Sequence, residues 1–192
     1  MTYLVFNTSD NSKINPQKFA LWSAMASIVM MFAALSSAYI VRQAQGNWLE
    51  FQLPSMFYIS TIVILLSSLT LHSSYHSFLA GKEVRYKSLL VFTFLLGIGF
   101  IIAQYLGWQR LYELGIDLKG NPSGSFIYVI TFLHVAHVLG GIACLIVAMF
   151  HAFALKFKVT KRRKHRFELV VHYWHFVDLL WVYLLVFLMI SK

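Results

Sequence analysis

Histidines recur in this sequence at a spacing that places two imidazoles on one face of a helix. Three such pairs occur: His72 with His76, His134 with His137, and His172 with His175. Imidazole is the commonest metal ligand in proteins, so the pairs suggest redox chemistry. A bis-histidine haem needs one imidazole from each of two facing helices at equal depth. A histidine-box di-iron hydroxylase needs its ligands clustered at one membrane surface.

Two carboxylates accompany the last histidine pair. Glu168 and Asp178 lie with that pair near or within an apolar run over residues 167–190. On a helix, Glu168, His172 and His175 fall within about 60°, and Asp178 widens the arc to about 120°. Asp178 lies about 11 residues into the run, near the middle of a bilayer, where a charge costs at least ~3 kcal/mol. We therefore expect these four side chains to form a hydrogen-bonded polar stripe that faces protein.

The composition is that of an integral membrane protein. Of the 192 residues, 59% are hydrophobic and 12% are charged, whereas soluble domains are about 45–50% apolar and about 25% charged. Long continuous apolar runs favour a helical bundle over a β-barrel, whose strands show short alternating segments. The single cysteine, Cys144, argues against a disulfide framework and a thiolate metal site.

The apolar runs and the turn signals between them predict an all-α protein with five transmembrane helices. The predicted spans cover residues 18–41, 54–79, 88–112, 125–155 and 167–190. A polar leader over residues 1–17 precedes a single transmembrane domain over residues 18–192, and residues 81–87 form a basic turn. Asn15 followed by Pro16 is a helix-start signal.

Lysines and arginines concentrate on one side of the predicted membrane. Of the 16 in the chain, 12 lie in or beside the leader, the second loop and the fourth loop, and 4 lie on the opposite side. The positive-inside rule therefore predicts a cytoplasmic N-terminus, and the charge needs no nucleic acid partner. The fourth loop also suits anionic lipid head groups, each cation contributing about 1 kcal/mol. The candidate lipid contacts are Arg162, Arg163, Lys164, His165 and Arg166.

Depth separates the histidine pairs. By this topology the pairs of the second and fifth helices lie toward the cytoplasm, whereas His134 and His137 lie about 9 and 12 residues in from the opposite surface. The imidazoles thus do not converge at one level. Packing and hydrogen bonding across helices are the favoured interpretation, because buried polar groups in lipid need partners. A metal site is the alternative. His134 and His137 share a face with Gly141, which fits a close contact between helices.

Segments of four predicted helices resemble subunit III of haem–copper terminal oxidases. The matching segments are 32–39 (FAALSSAY), Gln104 with Gly107 and Trp108, 124–128 (GSFIY), 131–141 (TFLHVAHVLGG), Glu168, and 173–181 (YWHFVDLLW). The last segment is the most specific of these. The resemblance runs from about residue 18 to the end, and it is closest to a short bacterial form that lacks the first two of seven family helices.

The resemblance implies a non-redox subunit of a bacterial aa3-type cytochrome c oxidase in the plasma membrane. Partner subunits I and II would carry haem and copper, reduce oxygen to water and translocate protons. This chain would hold no catalytic, metal or cofactor site. It would bind phospholipid, support assembly and stability, and extend its contacts to subunit IV and a respiratory supercomplex. Its packing and interface residues would be His134, His137, Glu168, His172, Trp174, His175 and Asp178.

Two positions depart from the family pattern. Many members carry a buried glutamate in the first of these five helices and often a second one in the third, where this chain has Ile28 and Gly107. A role of those carboxylates in proton uptake therefore does not transfer to this chain. Two alternatives remain: subunit III of a haem–copper quinol oxidase and, from another class, a histidine-box di-iron membrane hydroxylase.

Overall fold

Five long helices make up the part of the protein that the structure describes. In a computed structural model, residues 15–191 are described, and most of the predicted leader lies outside that range. The helices are α1 Pro16–Ala44, α2 Ser55–Leu79, α3 Glu83–Glu113, α4 Pro122–Ala154 and α5 Lys161–Ile190. All five are long and apolar enough to cross a membrane, and residues 15–191 contain no strand. The prediction of an all-α, five-helix, multi-pass membrane protein is confirmed.

Two helices begin with the same local device, an asparagine followed by a proline. The Asn15 side chain accepts a hydrogen bond from the Gln17 backbone N–H at 3.1 Å. Asn121 repeats this contact with the N–H of Ser123 at 3.0 Å. The asparagine satisfies a backbone donor that has no partner within the helix, and the proline occupies a position that needs no N–H.

Helices α3 and α5 begin earlier than the apolar runs predicted. The basic turn is confined to Ala80–Lys82, where Gly81 has φ +72°, and α3 starts at Glu83, whose carboxylate pairs with Lys87. Helix α5 starts inside the basic cluster, because Thr160 accepts a hydrogen bond from the Arg163 N–H at 3.3 Å. Hydropathy marks the membrane layer, whereas capping contacts mark where a helix starts, so the two boundaries differ.

Helices α2 to α5 form a closed ring in which each packs on the next and α5 returns to α2. Helix α1 lies outside this ring and packs on α4 and α5, and it makes no contact with α2 or α3. Large aromatic side chains fill the centre of the ring, and Phe57, Phe100, Trp174 and Trp181 are almost completely buried there. The ring therefore encloses an aromatic core, while α1 and α2 flank an exposed strip of α5.

Candidate functional site

Asp178 faces the interior of the bundle, as its cost in a bilayer predicted. Its side chain is 2% exposed. Within the described residues, neither carboxyl oxygen has a hydrogen-bond partner. The Ser68 hydroxyl of α2 lies against the carboxyl without the geometry of a hydrogen bond. The inward orientation expected for Asp178 is thus present, whereas the hydrogen bond expected of it is absent from the described residues.

The predicted stripe on α5 is not one hydrogen-bonded set. Glu168 pairs with Lys18 of α1 at 3.3 Å. His172 is exposed, and its Nδ1 lies 2.6 Å from the Glu168 backbone carbonyl. His175 turns to α2, where its Nδ1 lies 2.5 Å from Ser68 Oγ. The side chains diverge because α1 and α2 stand on opposite sides of α5.

The pair on α4 occupies a different environment. His134 is completely buried, and its ring centroid lies 5.7 Å from that of Phe100 and 5.0 Å from that of Trp181. Within the described residues, neither ring nitrogen of His134 has a hydrogen-bond partner. His137 is half-buried, and its Nδ1 lies 2.7 Å from a carbonyl oxygen one turn earlier in α4. Phe32 of α1 packs edge-on against both imidazoles.

Trp174 is the side chain around which α2, α3 and α4 close on α5. It is completely buried, and its Nε1 donates to Ser67 Oγ at 2.8 Å. A Cβ atom added to Gly97 would lie 2.8 Å from the indole ring, and one added to Gly141 would lie 3.0 Å from it. The two glycines provide the space for the indole. The close contact expected at Gly141 is thus present, with Trp174 as its partner.

Serines follow the buried face of α2 at intervals of seven residues. Ser60, Ser67 and Ser74 are all completely buried. Ser60 Oγ accepts from Gln104 Nε2 at 2.9 Å, and Ser67 Oγ accepts from Trp174. These serines were not among the residues predicted from the sequence to be important. Their repeat within an apolar helix is the signal that could have found them, because small polar residues line close contacts between membrane helices.

The histidines of α2 approach α5 from an exposed position. His72 and His76 are exposed, and their Nε2 atoms are 3.1 Å apart. The ring centroids of His72 and His175 are 5.9 Å apart. Across the described residues, no group of three or more histidine, cysteine, aspartate or glutamate side chains is placed to hold a metal ion. The di-iron interpretation, which needs such a cluster, therefore finds no ligand set in this part of the chain.

A cavity of about 490 Å³ opens beneath the loop between α4 and α5. Its basic lining comprises Arg162, Arg163, Arg166 and His151, and its apolar lining includes Phe78, Tyr86 and Phe167. Three of the five predicted lipid contacts thus line one cavity, and Lys164 and His165 do not. The guanidinium of Arg163 also donates to the Lys156 carbonyl at 2.7 Å, which holds the loop over the cavity.

Known proteins are similar in sequence to this chain over most of its length. The family model described as cytochrome c oxidase subunit III matches residues 47–191. A probable cytochrome c oxidase subunit 3 of Mycobacterium tuberculosis (strain ATCC 25618 / H37Rv) is 30% identical over 164 residues, covering 82% of this chain and 79% of the relative. The cytochrome c oxidase subunit 3 of Corynebacterium diphtheriae is 29% identical over 162 residues, covering 80% and 78%.

A mammalian relative matches a smaller share of its own length. The cytochrome c oxidase subunit 3 of Mus musculus is 32% identical over 128 residues, which are 67% of this chain and 47% of the mouse protein. The chain belongs to the cytochrome c oxidase subunit III family. It is therefore a membrane subunit of a terminal oxidase complex, as the resemblance of its helices implied.

Proposed function

We propose that this chain is the non-redox subunit III of a bacterial aa3-type cytochrome c oxidase in the inner (plasma) membrane. Its partners would be subunits I and II, which carry haem and copper, reduce oxygen and translocate protons, with subunit IV and a supercomplex as further contacts. The supporting observation is that the segment 173–181, which carries the family resemblance, packs into the core of the helix ring. Trp174 and Trp181 fill the core of the ring, and each indole N–H is satisfied by α2. Side chains engaged in this way serve assembly and stability.

Gentle purification of the tagged chain tests this proposal. Mass spectrometry should identify haem–copper oxidase subunits in the native complex, and the optical spectrum should show their haem. The chain isolated in mild detergent should show no Soret band and no stoichiometric iron or copper. A haem or di-iron signal that stays with the isolated chain and disappears in His134→Ala or His172→Ala would contradict the proposal. So would a native complex without a haem–copper subunit.

Removal of the chain separates a supporting role from a catalytic one. With the metals in partner subunits, initial oxygen reduction should stay largely intact, while activity should decay faster over repeated turnovers. Oxygen uptake traces of complexes with and without the chain provide the comparison. An immediate loss of the initial rate in a complex that retains its full haem spectrum would contradict a supporting role.

We further propose that the cavity under the α4–α5 loop holds an anionic phospholipid. The arginine side chains at the rim suit a phosphate, and the apolar walls suit acyl chains. Arg162→Ala with Arg166→Ala should lower the amount of anionic phospholipid retained per purified complex. Lys158→Ala with Lys164→Ala removes the same charge outside the cavity lining and is the matched control. Equal lipid loss in both variants would indicate a general surface attraction and contradict a site.

The proposed orientation places the N-terminus and the α4–α5 loop in the cytoplasm. Cysteines introduced at Asn47 and Asn121 should react with a membrane-impermeant reagent added to intact spheroplasts, and one at Thr160 should not. Asn121 Nδ2 donates to the Asn47 carbonyl at 3.1 Å, so both positions lie at one end of the bundle. The opposite labelling pattern would reverse the proposed topology. Ser12, a further position for this test, lies outside the described residues.

A further inference from the structure

Polar side chains connect the buried carboxyl of Asp178 with the exposed edge between α2 and α5. Asp178 is 2% exposed, and the half-buried Ser68 lies against its carboxyl. Ser68 Oγ in turn lies 2.5 Å from His175 Nδ1. Hydroxyl and imidazole groups can each donate and accept a hydrogen bond, so a proton can pass through both.

Beyond His175 the connection reaches the surface. The ring centroids of His175 and His72 are 5.9 Å apart, which allows their nitrogens to be joined directly or through one water. His72 Nε2 lies 3.1 Å from His76 Nε2, and both side chains are exposed. Solvent exposure of the side chains therefore rises along this series, from the buried carboxyl to the exposed histidines. His72 and His76 are called the exposed histidine pair below.

The exposed histidine pair lies toward the end of the bundle that carries the basic loop. His76 is in the last turn of α2. The next residues at that end, Phe78 and Tyr86, pack against Phe157 of the α4–α5 loop, with ring centroids 5.9 and 6.2 Å apart. The pair is thus placed close to a membrane surface rather than at the middle of the bilayer.

An unpaired carboxylate in a low-dielectric interior is too costly to persist, whereas the neutral acid is tolerated. Asp178 has no hydrogen-bond partner in the described residues. We propose that Asp178 is a proton-exchanging carboxyl, and that Ser68, His175 and the exposed histidine pair connect it with water at the basic end of the bundle. This site belongs to the chain itself and does not depend on the identity of its partners.

A proton transfer from Asp178 through Ser68 to His175 leaves the total charge of these three side chains unchanged. Once the Asp178 carboxyl has rotated into a hydrogen bond with Ser68 Oγ, it gives its proton to that oxygen, while the Ser68 hydroxyl proton moves to His175 Nδ1. Asp178 is then a carboxylate and His175 an imidazolium, a pair with no net charge. The imidazolium releases a proton from Nε2 toward His72, and the exposed histidine pair passes it to water. Uptake follows the same route in reverse.

Infrared spectroscopy of the native complex reads this exchange directly. The C=O stretch of a protonated carboxyl shifts when the solvent is changed from H2O to D2O, and Asp178→Asn identifies the band. We expect rapid exchange in the wild type. His175→Asn keeps a polar partner for Ser68 but cannot carry a proton, and it should slow the exchange at least tenfold. His72→Gln with His76→Gln, which alters exposed positions, should slow it several-fold.

His137→Gln is the matched control. His137 is a half-buried imidazole of α4, its Nδ1 lies 2.7 Å from a carbonyl oxygen of its own helix, and it lies outside the proposed route. This substitution should leave the exchange rate unchanged. Two results would overturn the proposal: no protonated-carboxyl band lost in Asp178→Asn, or exchange in His175→Asn and the double histidine variant as fast as in the wild type. A purely structural role of the histidines would leave the rate unaltered.

Discussion

The His134–His137 pair and the His172–His175 pair have the same spacing on adjacent helices, yet the first histidines of the two pairs lie in opposite environments. His134 is completely buried among Phe100, Trp181 and Phe32. His172 is exposed on the strip of α5 between α1 and α2. The spacing sets only which residues share a helix face. The neighbours that this face meets depend on the order of helices around it.

The difference separates the molecule into a closed part and an open part. In the closed part, aromatic rings, glycines and buried serines of α2 to α5 fit against one another around Trp174. In the open part, Glu168 and the exposed histidines of α2 and α5 lie where α1 and α2 do not meet. Substitutions should therefore be costly in the closed part and mild in the open part.

The largest difference is expected from lysine at the two histidine positions. His134→Lys would place a charge among aromatic rings without a partner, and should cost more than about 4 kcal/mol and prevent assembly. His172→Lys can extend its ammonium toward the membrane surface and should cost less than about 1 kcal/mol. The amount of subunit in membranes and the thermal stability of the complex provide the measurement. Similar losses in both variants would contradict the division into closed and open parts.

A smaller effect is expected from valine at two glycines of α3. Gly97→Val would place atoms against the Trp174 indole and should cost about 1–3 kcal/mol. Gly99→Val is the control, because a Cβ there would lie 3.8 Å from Val63, an ordinary contact. Thermal unfolding of the complex distinguishes them. Trp174→Phe should recover part of the stability lost in Gly97→Val, and failure to do so would place the strain elsewhere.

The smallest effect is expected in the open part, at the ion pair between Lys18 and Glu168. The two side chains are partly exposed and 3.3 Å apart. Because solvent screens such pairs, Glu168→Gln should cost no more than about 1 kcal/mol, and Lys18→Met should cost about the same. A double-mutant cycle on the melting temperature gives the coupling. A coupling free energy above about 2 kcal/mol would contradict this expectation and show that this ion pair dominates the packing of α1 on α5.

Several features of the site could be predicted from the sequence, but the hydrogen bonds between its helices could not. The inward orientation of Asp178 followed from the cost of a charge in lipid, and the close contact at Gly141 followed from the shared helix face. The hydrogen-bonded stripe on α5 did not follow, because Glu168 and His175 meet different helices. Ser68 was missed because it lies outside the buried serine repeat of α2, and nothing near it in the sequence marks α2 as the neighbour of α5.

The sequence by itself determined the five helices and the capping residue of α1, since these depend on hydropathy and on contacts between near neighbours in the chain. It also identified the family, through the segment 173–181. Only the tertiary structure decided that Trp174 fits between Gly97 and Gly141, and that Ser68 lies between His175 and Asp178. Such contacts join residues up to about a hundred positions apart, and they depend on the rotation and order of the helices around the ring, which local periodicity does not encode.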